Sequence, residues 1–140
     1  MNTTQTNTSV IPAIGRVLLA AIFVISGFGK LAAPAGTIGY IESAGLPFAT
    51  LGFAIAVAVE LGGGILLAIG YKTRIVAAVL ALFSIVTALA FHNAVGDQNQ
   101  FINLMKNFAM AGGLLQVVAF GAGAYSIDQR LGQSAVRRAA

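Results

Sequence analysis

The sequence predicts an all-α integral membrane four-helix bundle, on three observations. Four apolar runs, about 11–31, 48–70, 73–91 and 101–120, each approach the ~20 residues that cross a ~30 Å hydrocarbon core at 1.5 Å rise. Charge is scarce: 58% of the 140 residues are hydrophobic and 9% charged, against ~25% charged in a soluble domain. Mean hydropathy is +0.89. The remaining basic residues are lopsided. With four spans, Arg16, Lys72, Arg74, Arg130, Arg137 and Arg138 fall on one side and Lys30 and Lys106 on the other, six against two. This bias predicts that both termini are cytoplasmic. In a soluble protein the net charge of +4 would suggest nucleic acid. Here its place at segment ends reads as topology, so the expected partner is the lipid bilayer and not nucleic acid.

The chain divides into a disordered polar tail over 1–10, a membrane domain over 11–125 and a basic cytoplasmic tail over 126–140. Pro12 suits the first turn of the first helix, where its missing N–H costs nothing. Ala33-Pro34-Ala35 mimics a signal-peptide cleavage site, but the n-region offers only Arg16, and Gly27, Gly29 and Lys30 interrupt the approach to the site, so the first helix is expected to be retained. The connector from Ala33 to Pro47 is rich in Pro and Gly, with room for a short interfacial helix over Thr37 to Ala44 that turns Ile38 and Ile41 to lipid. Tyr71-Lys72-Thr73-Arg74 is a tight basic turn between the second and third helices. A polar loop over Ala94 to Gln100 leads to the fourth, and Gly121 and Gly123 end it. Ser126 and Asp128 suit the cap of a short final helix. There is no tryptophan, so interfacial anchoring falls to Tyr40, Tyr71, Tyr125 and the basic residues, among which Arg16, Lys72 and Arg74 read as topology anchors.

One residue does not belong to this pattern. Glu60 sits near the middle of the second span, where a carboxylate costs roughly 2.5–3.5 kcal/mol on insertion scales. Gly52, Ala56, Glu60, Gly64 and Ala68 form a file at every fourth position, and small residues of this kind let a neighbouring backbone approach. Glu60 therefore faces the bundle interior. Lys30 with Ser26 one turn deeper, His92 at the end of the third helix, and Asn103, Lys106 and Asn107 on one face of the fourth all fall in the same, outer half. The third helix offers Ala77, Ala81, Ser84, Ala88 and His92 on one small-residue face. Two readings stand for Glu60: a structural bridge to Lys106 or Lys30, or a part in binding or proton handling. Lys30 reads first as an interfacial snorkel, His92 as a cap or a proton carrier, and the asparagines as interhelical glue or ligands. Gly62, Gly63, Gly64, Gly112 and Gly113 are expected to serve packing. The absence of cysteine excludes disulfides and thiolate metal sites, and one histidine excludes a bis-histidine haem within one chain. His92 with Glu60 is a poor metal set, and no metal is expected.

Arg16, Ile25-Ser26-Gly27-Phe28-Gly29-Lys30-Leu31, Glu60-Leu61-Gly62-Gly63, the Gly70 to Arg74 turn, Phe91-His92, Asn107, Ala111-Gly112-Gly113-Leu114-Leu115 and Gly121 to Asp128 follow in an order and spacing that resembles the DoxX-like (DoxX/DoxD-like) family of small bacterial membrane proteins. The resemblance covers roughly Ile14 to Leu131. It implies a four-helix bundle of the bacterial inner membrane. Family members include small membrane subunits of thiosulfate:quinone oxidoreductase and others linked to oxidative-stress assemblies, while most have no assigned activity. The resemblance thus favours a quinone-linked or otherwise redox-associated subunit, an oxidoreductase component without a redox centre of its own. It would bind a small ligand, a quinone among the candidates, through Glu60, His92, Asn103, Lys106, Asn107 and Lys30, with electrons supplied by a redox partner protein or a substrate. Two alternatives stand beside it: a non-enzymatic scaffold or assembly factor, and a small-molecule or lipid transporter working as a homo-oligomer.

Overall fold

A computed structural model describes the backbone of residues 4–139 and the side chains of residues 10–135. Six helices follow one another: α1 (Thr4–Ala32), α2 (Pro34–Ser43), α3 (Ala49–Ile69), α4 (Thr73–Phe91), α5 (Gln98–Phe120) and α6 (Ile127–Ala139). Val10–Ala32 of α1, together with α3, α4 and α5, are long and apolar enough to cross a membrane. The four spans match the expected runs closely. The tail expected to be disordered over 1–10 falls partly outside the described residues; from Thr4 the backbone is helical, in continuation of the first span. Helix α5 starts at Gln98, earlier than the apolar run, because the Asp97 side chain accepts from the Gln100 N–H at 2.9 Å and so caps it.

Helix α1 lies along α3, and α4 pairs with α5. Leu67, Leu80 and Leu114 are fully buried where the two pairs meet, among Ala20, Phe23, Ala77, Ala81 and Ala111. The α1–α3 approach is close in both directions. A Cβ on Gly64 would stand 2.8 Å from Val24 Cγ2 and 3.2 Å from the Val24 nitrogen; one on Gly27 would stand 2.6 Å from Leu61 Cγ. Two other glycines expected to pack do not: a Cβ on Gly62 or Gly112 meets nothing within 4 Å. Those faces look outward, so three consecutive glycines do not share one role.

The connector also differs from expectation. Helix α2 begins at Pro34, and Ile41 is 7% exposed, turned onto α3 instead of toward lipid. Tyr40 stacks on Phe91 with ring centroids 5.3 Å apart, tying α2 across the end of α4.

At the opposite end of the bundle, which holds both termini, Arg16 is not an interfacial anchor. It is 3% exposed, with Nη1 donating to the Ala122 carbonyl and Nη2 to the carbonyls of Ala68 (3.2 Å) and Tyr125 (2.8 Å). Ala68 lies in the last turn of α3, and Ala122 and Tyr125 follow α5. The guanidinium thus satisfies carbonyls that helix ends leave unpaired, on the negative side of two helix dipoles. The chain makes room for it: a Cβ on Gly70 would lie 3.0 Å from Arg16 Cζ, and Gly70, Gly121 and Gly123 all take the positive φ that glycine tolerates. Ser126 caps α6 through the Gln129 N–H, as expected. Asp128 instead caps α4, accepting from the N–H groups of Lys72 (2.7 Å) and Thr73 (2.9 Å).

Candidate functional site

Glu60 lies in a π-helical turn, Ala58–Gly63, inside α3. Such one-turn π segments interrupt the i→i+4 ladder and recur at functional sites. The residue is 6% exposed and points at α1. There Ser26 and Lys30, one turn apart on the same face, both reach it. Lys30 Nζ donates to Ser26 Oγ at 2.7 Å and to Glu60 Oε1 at 2.9 Å, and Ser26 Oγ donates to Oε1 at 3.2 Å. Oε2 lies 2.7 Å from the same ammonium without hydrogen-bond alignment, so its contact is Coulombic and Oε1 carries the directed bonds. Lys30 is therefore the partner of Glu60, and not a snorkel. Among the described residues this is the one ion pair.

The pair borders a cavity of about 640 Å³ lined by α1, α2, α3, α4 and α5. Apolar walls come from Ile22, Phe23, Ile41, Leu46, Ala56, Phe83, Phe91 and Met110, and α2 contributes Gly36, Thr37 and Tyr40. His92 and Asn107 also face it. The His92 Nδ1 lies 2.8 Å from Gln100 Oε1. An amide oxygen only accepts, so with Gln100 so oriented Nδ1 carries a proton, and in the tautomer with that single N–H Nε2 is an acceptor. Asn107 Nδ2 donates to the Asn103 carbonyl at 3.0 Å, which leaves its Oδ1 unspent. Ser84 and Thr87 donate their hydroxyl protons to carbonyls of their own helix, at 2.8 and 2.9 Å, and retain lone pairs.

Of the six residues singled out from the sequence, Lys30, Glu60, His92 and Asn107 line this one cavity. Asn103 contributes its backbone oxygen to Asn107 but does not line the cavity, and Lys106 is exposed on the outside of α5. The geometry separates Asn107 from Lys106 because adjacent helical residues diverge by about 100°. Tyr40 and Thr87 join the cavity without an advance signal of this role. Thr87 follows Ser84 by three residues, a spacing that places both on one face. A second polar centre, around Arg16, sits at the other end, and Arg16 does not line the Glu60 cavity.

Comparison with known proteins agrees with this architecture. The chain is 36% identical over 118 residues to the inner membrane protein YqjF of Escherichia coli (strain K12), across 84% of this chain and 89% of the relative. It is 36% identical over 124 residues to the inner membrane protein YphA of the same organism, across 84% and 87%. A shorter match, 42% over 67 residues and 48% of each chain, is to the Bacillus subtilis (strain 168) protein named "Putative oxidoreductase CatD". No solved structure matches. The DoxX family profile covers residues 11–93, which takes in α1 through α4 and both members of the Lys30–Glu60 pair, and the chain belongs to the DoxX family.

Proposed function

We propose that this protein is a redox-associated, quinone-linked membrane subunit that takes a small apolar ligand with a polar head into the cavity around Glu60. The observation that carries the reading is the convergence of the Lys30–Glu60 pair, His92 and Asn107 on one largely apolar cavity of about 640 Å³ within the spans. That volume lies in the usual ~300–1,000 Å³ range of small-ligand sites. An ammonium has three donors, and Lys30 spends two on Ser26 and Glu60, leaving one for a carbonyl oxygen of a head group. His92 Nε2 and Asn107 Oδ1 are placed to accept from a hydroxyl. Glu60, in contact with Lys30, is a proton acceptor at the same place. A bound quinone would supply two-electron, two-proton chemistry; the protein's part is to orient the head, exclude water and move the proton. The partial likeness to a protein named for oxidoreductase activity supports the redox association. The names of the two longer relatives support a multi-pass place in the inner membrane, and the six-to-two basic asymmetry supports cytoplasmic termini.

A scaffold role is the second reading, favoured by the fact that Lys30 and Glu60 already satisfy each other. Titration of detergent-solubilised protein with short-chain ubiquinone and menaquinone analogues, followed by difference spectroscopy, separates the two. Saturable binding that weakens at least ~10-fold in Glu60→Gln, with the fold retained, is expected; ~10-fold is about the loss of one charge-assisted hydrogen bond. Absence of saturable binding, or equal binding by Glu60→Gln, leaves the scaffold reading.

A further inference from the structure

The Arg16 end of the molecule carries a second cleft, of about 690 Å³, between the start of α4 and the end of α5. Lys72 and Arg74 enter it from the α3–α4 turn, Ile75 and Phe120 from the two helices, and Gly121 forms part of its floor. We propose that this cleft binds the headgroup of an anionic phospholipid. The charge count in the cleft points that way. Asp128 is the one acid lining it, and both of its oxygens are spent on the backbone N–H groups of Lys72 and Thr73. Among the described residues neither Lys72 nor Arg74 has an acid within ion-pair distance. The Arg74 guanidinium lies along the backbone of Gly121, where a Cβ would be 3.4 Å from Nε. Among the described residues the guanidinium makes no hydrogen bond or ion pair, so its donors remain for a ligand, and a guanidinium matches phosphate oxygens in a bidentate fork.

The apolar residues choose a lipid over a soluble phosphate. Ile75 and Phe120 are 67% and 80% exposed at the ends of two membrane spans, beside the basic pair. A phospholipid seated with its phosphate on Arg74 and Lys72 lays its acyl chains on these two side chains. Lys72 and Arg74 against the single carboxylate of Asp128 leave the cleft with a net positive charge, which favours a lipid of net negative charge. Two basic groups near a surface enrich such a lipid on the order of tenfold or more.

The chain has no tryptophan, so Phe120→Trp places a single tryptophan at the cleft, excited selectively at the red edge beyond tyrosine absorption. The full chain carrying it is reconstituted in phosphatidylcholine nanodiscs containing either brominated phosphatidylglycerol or the same mole fraction of brominated phosphatidylcholine. The brominated anionic lipid should quench several-fold more strongly, and Arg74→Gln with Lys72→Gln should bring the two lipids level while circular dichroism and melting stay as in the parent. Equal quenching in the parent, or a preference that survives both substitutions, overturns the proposal. So does loss of the preference on adding inorganic phosphate but not chloride of equal ionic strength, which assigns the cleft to free phosphate.

Discussion

The two ends of this bundle each bury a charge, and they do so in opposite ways. At one end Arg16 is surrounded by backbone carbonyls, and glycines at 70, 121 and 123 bring those carbonyls close. At the other, Glu60 meets one lysine and one serine on one side and a cavity on the other. Arg16 joins three segments of chain and itself lines neither the Glu60 cavity nor the cleft at its own end. Glu60 joins two helices and leaves polar neighbours with unspent lone pairs. Arg16 is closed in by the carbonyls it satisfies, whereas the neighbours of Glu60 keep room and hydrogen-bonding capacity, which is what the proposed binding role requires.

The largest expected effect is at Arg16. Arg16→Met strands the carbonyls of Ala68, Ala122 and Tyr125 together and should lower stability by roughly 3–5 kcal/mol, at about 1–3 kcal/mol for each buried acceptor left unsatisfied. Thermal melting in detergent measures it. A loss no larger than that of Lys30→Met would erase the distinction between the ends.

Gly64 tests whether the ends are mechanically joined. It lies on the α1–α3 contact between them, and a Cβ there would press on the backbone of α1, 3.2 Å from the Val24 nitrogen and 3.3 Å from the Ala20 oxygen. Gly64→Ala should cost about 2–3 kcal/mol as overpacking. Gly62→Ala and Gly112→Ala, with open space around them, should be neutral or stabilise by up to ~1 kcal/mol. Equal melting shifts for all three would show that α1 can move off α3 at little cost.

Lys30 comes next. Lys30→Met removes the cation from Glu60, but its side chain is 25% exposed and the stranded carboxylate can take up a proton, so the cost should be on the order of 2 kcal/mol. Glu60→Gln added to it should recover most of that loss, because no unpaired charge then remains. Failure of that rescue would mean that Glu60 has another partner in the folded protein.

The four spans were legible because apolar runs of membrane length are a strong signal, and Glu60 was legible because a carboxylate inside such a run is costly. The gathering of Lys30, His92 and Asn107 near it followed from counting spans and placing each residue by depth. Depth was not enough to choose between Lys30 and Lys106. Both reach the Glu60 half, and only the rotation of α5 about its axis turns Lys106 outward. The role of Arg16 is hidden for a related reason. An arginine two turns inside a first span resembles a snorkelling anchor unless the last turn of α3 and the chain after α5 are known to converge on it. The sequence points Ile41 toward lipid because a short helix between breakers reads as lying on the membrane surface, and its packing on α3 is a tertiary fact.

The smallest expected effect sharpens the comparison at the Arg16 end through pH. Burial works to raise the Asp128 carboxyl, but hydrogen bonds from Thr73 and from the Lys72 N–H, with the charge of Arg16, outweigh it and hold the group below its ordinary value. A folded-state value lower than the unfolded one, about 3.9 for aspartate, makes a stabilising contribution that is complete above that pH and is lost as pH falls through the folded value. Asp128→Asn keeps one acceptor for the start of α4 and loses the charge, so near pH 7 it should cost about 1 kcal/mol, as for loss of a helix cap. That gap between parent and variant should narrow below about pH 4 as the parent's own carboxyl protonates. Melting followed from pH 7 to pH 3 reads it directly. The same substitution should leave ligand binding at the Glu60 cavity unchanged, since Asp128 lies at the other end of the bundle and lines the other cleft. A gap that stays constant down to pH 3 would show that the Asp128 oxygens cap α4 by shape alone, without help from charge. A change in cavity binding would show that the two ends are coupled through α1 and α3, so that the carbonyl-bound arginine and the cavity-facing glutamate belong to one device.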